Sequence, residues 1–273
     1  MAIEYCLMYN NTSVIQDEML SHRLGMIPIR ADPTQFSWKP KDLGPENTGP
    51  EFAIVFNLKA KCEEIPNCDS DKSGRREDLY KDYKVLSGHL KWEPLKGQET
   101  KFEGDNDLRP VHKNILIAKL SAKQEINIRL IAVKGIGRDH AKFSPVATAS
   151  YRLMPDIQLT EKITGEAAER LKESFSKGVI ELEGREKKAK VVNARVDSGS
   201  RNVFRYADLK DKVKHDLIKD HFIFKIESTG CMPSIDILLQ SCYILESKCE
   251  YFLKELQACR SRVYESAPMV ESI

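Results

Sequence analysis

The segment Phe222-Ile223-Phe224-Lys225-Ile226-Glu227 alternates as a strand does, with Phe222, Phe224 and Ile226 on one face. Gly230 and Pro233 then punctuate the chain, and a long helical pattern follows over 234–259. Its apolar positions are Ile235, Leu238, Cys242, Leu245, Cys249, Phe252, Leu256 and Cys259. Their steps alternate three and four, the seam of a helix packed lengthwise on another helix. Leu239 and Leu253 flank that seam, and Ile237, Ile244 and Tyr251 form a second line seven apart. A helix apolar on more than one side needs more than one covering layer. The strand before it cannot supply them all, so either the rest of the chain folds back over this helix or a partner protein covers it.

Upstream, residues 2–9 read as a strand and 13–24 as a helix. Ser13 and Gln16 have capping-box spacing, Asp17 and Glu18 suit the positive end of the helix dipole, and Gly25 is placed to end the helix in a left-handed conformation. Pro28 keeps the short apolar piece Met26-Ile27-Pro28-Ile29 away from a central ladder position. Prolines and glycines mark 32–50 as a long loop. Phe52, Ile54, Phe56 and Leu58 then alternate on one face of a strand, 61–78 reads as a polar excursion, and short strands follow near 84–86, 89–92 and 115–120. Ile126, Ile128, Leu130 and Ala132 line the next strand, which the pattern joins as a hairpin, through the loop 134–142, to a strand over 146–153 ended by Pro155. Composition shifts there. Residues 161–176 have a helical period, and 179–183 and 189–193 read as strands around a charged tip where Lys187, Lys188 and Lys190 are solvated.

The chain has 273 residues, enough for one large or two modest domains. Lys and Arg total 43 and Asp and Glu 41, and the resulting formal charge of +2 argues against autonomous strong nucleic-acid binding. No apolar run reaches the length of a membrane span, and the opening residues lack the basic and apolar regions of a signal peptide. Seven cysteines at irregular spacing suggest reduced thiols of the cytosol or nucleus. Cys62 and Cys68 lack the companions of a four-ligand zinc site. His22, beside Arg23 in the last helical turn, suits the dipole, and His112, His215 and His221 have no ligand at metal spacing. No metal or cofactor site is expected.

The loop 134–142 invites chemistry. Gly135-Ile136-Gly137 begins like a phosphate loop but lacks the third glycine and the helix behind it. His140 with Asp139 and Ser144 suggests a hydrolase, yet no nucleophile elbow is present. The favoured reading is a basic loop (Lys134, Arg138, His140 and Lys142) that docks on another macromolecule, and no catalytic residue is assigned.

Several segments together resemble one family: 10–18 (Asn10-Asn11-Thr12-Ser13-Val14-Ile15-Gln16-Asp17-Glu18), His22-Arg23-Leu24-Gly25-Met26-Ile27-Pro28, Arg109-Pro110-Val111-His112, Phe224-Lys225-Ile226-Glu227-Ser228-Thr229-Gly230 and the stretch from Gly135 to Ala149, whose most specific piece is His140-Ala141-Lys142-Phe143-Ser144-Pro145-Val146. The chain resembles the alpha-like subunits of DNA-dependent RNA polymerase and, within them, the larger alpha-like type shared by nuclear RNA polymerases I and III. The resemblance implies an α+β fold in three parts: an insert domain over 1–155, a ferredoxin-like segment over 156–214, and the strand–long-helix half of a dimerisation domain over 215–273. An N-terminal portion of that domain, carried by family members, is not in this sequence, which puts dimerisation in question. Some archaeal counterparts hold an iron–sulfur cluster in the middle segment. With no cysteine between 69 and 230, none is expected here.

The resemblance further implies a non-catalytic assembly subunit of polymerases I and III, in the nucleus including the nucleolus. A smaller alpha-like subunit would pair with Phe222, Phe224, Ile226, Ile235, Leu238, Cys242, Leu245, Cys249, Phe252 and Leu256. The large catalytic subunits would meet Lys134, Arg138, His140, Lys142 and Phe143. DNA is contacted only through the complex, and no membrane is involved. The alternatives are an alpha-like subunit of RNA polymerase II, or a stand-alone enzyme using the 135–144 loop.

Overall fold

The structure, a computed structural model, describes residues 1–65, 79–102 and 108–266. It divides into two compact units, one of residues 1–147 and 227–273, the other of residues 148–226. In chain order the first segment carries β1 (Ala2–Asn11), α1 (Asp17–Gly25), β2 (Ile29–Arg30), β3 (Ala53–Lys61), β4 (Glu63–Glu64), β5 (Tyr80–Lys81), β6 (Lys84–Leu86), β7 (Leu90–Glu93), α2 (Gln98–Lys101), β8 (Arg109–Pro110), β9 (Leu116–Lys119) and β10 (Glu125–Val133). There follow β11 (Val146–Leu159), α3 (Gly165–Ser174), β12 (Ile180–Glu183), β13 (Lys188–Val191), α4 (Ala207–Lys210), β14 (Val213–Ser228) and α5 (Ser234–Ser266).

The first unit is built on an antiparallel sheet in the order β1-β10-β3-β7. The period-2 pattern of β10 explains its central place, because both of its faces are covered. Ile126, Ile128, Leu130 and Ala132 join Ile54, Phe56 and Leu58 of β3 and Leu20 and Leu24 of α1 in the main core. Ile131 and Val133 meet Ala53 and Val55 on the other face. Phe52, one residue before β3, turns to that second face and not to the face of Ile54 and Phe56.

Helix α1 starts later than its sequence suggests. Gln16 is its N-cap and makes no side-chain cap bond. Ser13 instead works in the preceding turn, where its N–H and Oγ both donate to Asn11 Oδ1, at 3.1 and 2.7 Å. Local side chain–backbone bonds of this kind compete with helical capping. Gly25 is the last helical residue and is not left-handed: Met26 caps the helix in the right-handed region. Arg23 leaves the helix end to donate through Nε and Nη2 to the carbonyls of Ile117 and Leu116.

The expected hairpin of β10 with 146–153 does not form. β10 pairs with β1 and β3, whereas β11 pairs with β14 in a two-stranded ribbon. Pro155 does not end β11, which runs on to Leu159. Each strand of a two-stranded ribbon has an outer edge, where a missing N–H removes no ladder bond. The second unit has its own core of Ile157, Leu171, Phe175, Ile180, Val203 and Leu209, with β12 and β13 paired antiparallel. The excursion at 66–78, including Cys68, lies outside the described residues. No helix among the described residues is long and apolar enough to cross a membrane.

Candidate functional site

The seam on α5 is open. Ile235 is 73% exposed, Leu245 and Phe252 63% each, and Leu256 50%. Leu238 is just exposed, and Cys242, Cys249 and Cys259 are exposed thiols. Ile244 and Tyr251 of the second line are also exposed. Burying a Leu, Ile or Phe side chain stabilises by about 1.5–3 kcal/mol, so the helix forgoes a large term by standing uncovered. Contiguous apolar surface on this scale marks an interface.

In the second unit the ribbon carries a smaller apolar patch. Phe222 and Phe224 stand at 50% and 56% exposure, their rings 6.4 Å apart, and Tyr151 of β11 lies 5.8 and 5.9 Å from them. Ile226 is half-buried beside them in the sequence of β14. Sequence alternation located this face but gave no hint that Tyr151 would complete it. That pairing follows from the β11–β14 ribbon.

The 134–144 loop is less available than its composition implies. Lys134 Nζ donates to the Phe36 carbonyl at 3.1 Å and lies 5.3 Å over the Trp38 ring. Lys142 Nζ pairs with Glu4 at 2.5 Å, with its side chain only 14% exposed. Phe143 is half-buried against Gly135, where a Cβ would stand 2.5 Å from its ring. Arg138 and His140 remain exposed. The loop therefore offers one guanidinium and one imidazole outward, while its two lysines are held inside the first unit. It contains no nucleophile–base pair. His140 Nδ1 accepts the Lys142 N–H at 3.0 Å, and Ser144 Oγ donates to the Val146 carbonyl at 3.0 Å.

Two further arrangements escaped the sequence. His22 and His140 meet edge-on at 6.0 Å in a cleft with Glu4, Glu18 and Lys142. His215 Nε2 lies 3.2 Å from buried Asp197, whose carboxylate also accepts the Gly199 N–H at 3.0 Å. Both contacts join residues far apart in the chain, so no local pattern announces them. Among the described residues, no three His, Cys, Asp or Glu side chains converge as metal ligands.

A clasp ties the start of α5 to the loop. Thr229 donates to the Pro145 carbonyl through both its N–H, at 3.0 Å, and its Oγ1, at 3.1 Å. The same Phe-Ser-Pro-Val and Glu-Ser-Thr-Gly stretches that stand out in the sequence thus meet in space. The pattern of the RNA polymerase Rpb3/RpoA insert domain matches residues 9–154.

The chain belongs to the alpha-like subunits of DNA-dependent RNA polymerase. Among its relatives is the mouse (Mus musculus) DNA-directed RNA polymerases I and III subunit RPAC1, 48% identical over 261 residues that cover 94% of this chain and 74% of the mouse protein. The subunit of the same name from Saccharomyces cerevisiae is 43% identical over 92% of this chain and 74% of its own length. The Arabidopsis thaliana DNA-directed RNA polymerases II, IV and V subunit 3 is 31% identical over 87% of this chain and 74% of its own.

Proposed function

We propose that this chain is a non-catalytic assembly subunit of DNA-directed RNA polymerases I and III, acting in the nucleus. The observation that carries the reading is the higher identity to subunits named for polymerases I and III than to the one named for polymerases II, IV and V. The finer reading is that α5, through Ile235, Leu238, Cys242, Leu245, Cys249, Phe252 and Leu256, takes a helix of a smaller alpha-like subunit. Phe222, Phe224 and Ile226 of the ribbon belong to the same pairing. The exposure of the seam supports this, since a partner helix would bury side chains that no element among the described residues covers. Arg138, His140 and the braced Lys134, Lys142 and Phe143 form a contact for the large catalytic subunits, because the loop is tied to the first unit yet keeps a guanidinium and an imidazole outside. DNA is met through the complex, in keeping with the formal charge of +2. On this reading the chain serves transcription of ribosomal RNA, 5S RNA and tRNA genes, and the ribosomal RNA genes account for a nucleolar share of it.

Co-purification tests the reading. A tagged chain should bring down a smaller alpha-like protein together with the large subunits of polymerases I and III. Recovery of polymerase II subunits alone would move the chain to that enzyme, and recovery of no polymerase subunit would end the proposal.

A further inference from the structure

The first two turns of α5 carry a face distinct from the seam. Asp236, Leu239, Gln240 and Tyr243, at i, i+3, i+4 and i+7, line a groove of about 380 Å³ that residues 30–32, Phe102 and Leu108 also line. All of these residues belong to the first unit. β2, which ends at Arg30, pairs with β8 on one side, and no strand among the described residues pairs with its other side. A backbone edge beside a groove suits an extended peptide, which gains affinity from main-chain hydrogen bonds and specificity from alternate side chains.

Charge defines that peptide further. Among the described residues, two carboxylates, Asp32 and Asp236, line the groove against one guanidinium, Arg30. Among the described residues no ion pair joins these three groups to one another. Asp32 uses a single oxygen, Oδ1, to accept both the N–H and the hydroxyl of Thr34, at 2.9 and 2.7 Å. Phe102 and Leu108 add apolar surface between the acids.

We propose that this groove receives an extended, basic peptide segment of another polymerase polypeptide. A Lys or Arg side chain would sit between Asp32 and Asp236, with an apolar neighbour against Phe102 and Leu108. An acidic segment is disfavoured by the two carboxylates. The proposal rests on the chain working inside a polymerase but does not need the seam assignment.

The test places photoreactive benzoylphenylalanine at Gln240 for the groove, or at Leu245 for the seam, in the tagged chain within the purified assembled polymerase. After irradiation, mass spectrometry locates each cross-link. From Gln240 the expected product is an extended stretch of another subunit with a Lys or Arg close by, and Asp236→Arg should lower its yield about tenfold, as charge reversal at a complementary contact does. Cross-links from Leu245 should be unchanged by Asp236→Arg. The groove proposal is overturned if Gln240 cross-links only within this chain, to a second copy, or to the helix reached from Leu245. It is equally overturned if the yield ignores Asp236→Arg. Failure of Leu245 to reach a smaller alpha-like subunit would instead count against the seam.

Discussion

At Gly230, between the end of β14 and the start of α5, the chain needs a hydrogen in place of a side chain. The residue has φ +91°, and a Cβ there would lie 2.5 Å from Val111 Cγ1. Gly230→Ala therefore meets two costs, about 1–3 kcal/mol of backbone strain and a steric clash. Its denaturation midpoint should fall, and Val111→Ala in the same chain should restore the steric part but leave the strain. Full recovery, or no recovery, would mean that only one of the two costs operates. The thiols sort by environment in the same local way. Burial raises the Cys6 thiol above its ordinary range, and burial followed by the Asp82 carboxylate does the same for Cys62. Cys242, Cys249 and Cys259 are exposed. A thiol reagent at neutral pH should therefore label the three α5 cysteines at least about tenfold faster than Cys62. The sign of the linkage follows from which state holds its proton longer. Below the unfolded thiol's range both states are protonated and nothing is lost. Above it the unfolded chain ionises first, so stability falls as pH rises through the alkaline range. Urea titrations of the parent and of Cys62→Ala should show that fall to be shallower in the variant.

At the scale of elements, α5 makes the sharpest claim. Leu245→Asp and Phe252→Asp put a charge where a partner helix would bury it unpaired, and each should weaken the partner complex by several kcal/mol. Because both side chains are exposed in this chain alone, neither should change its own unfolding free energy by more than about 0.5 kcal/mol. Lys254→Asp, on a more polar side, should leave binding intact. A pull-down in which Leu245→Asp binds as well as the parent would remove the seam from the interface. This helix was legible because its signal is internal: three-four spacing needs no knowledge of the rest of the chain. β10 was legible for the same reason, its alternation matching the two covered faces. Its partners were not. Residues 146–153 follow closely and alternate too, yet β11 pairs with β14, some sixty residues further on. Pairing depends on long-range packing, which local pattern does not encode. The candidate surfaces divide in the same manner. Exposed apolar positions on α5 could be named one by one, but the burial of Lys142 against Glu4 and the groove beside Asp236 come from contacts between distant segments.

For the molecule as a whole, the first unit is made from two stretches of chain and the second from one continuous stretch between them. The second unit is therefore an insertion. Replacing 148–226 by a short glycine-rich turn should leave the first unit folded, with its core amides as protected against hydrogen exchange as in the parent. Widespread loss of that protection would show that the first unit needs the insertion. Elemental analysis of the purified parent should find neither zinc nor iron at about one per chain, since structural zinc takes four ligands and clusters take thiolates. The chain leaves and re-enters the first unit at one place, where Thr229 grips the Pro145 carbonyl across a separation of 84 residues. In terms of connectivity, the grip is a single point of failure: both bonds end on the same oxygen, so anything that turns the Pro145 carbonyl away breaks the two together.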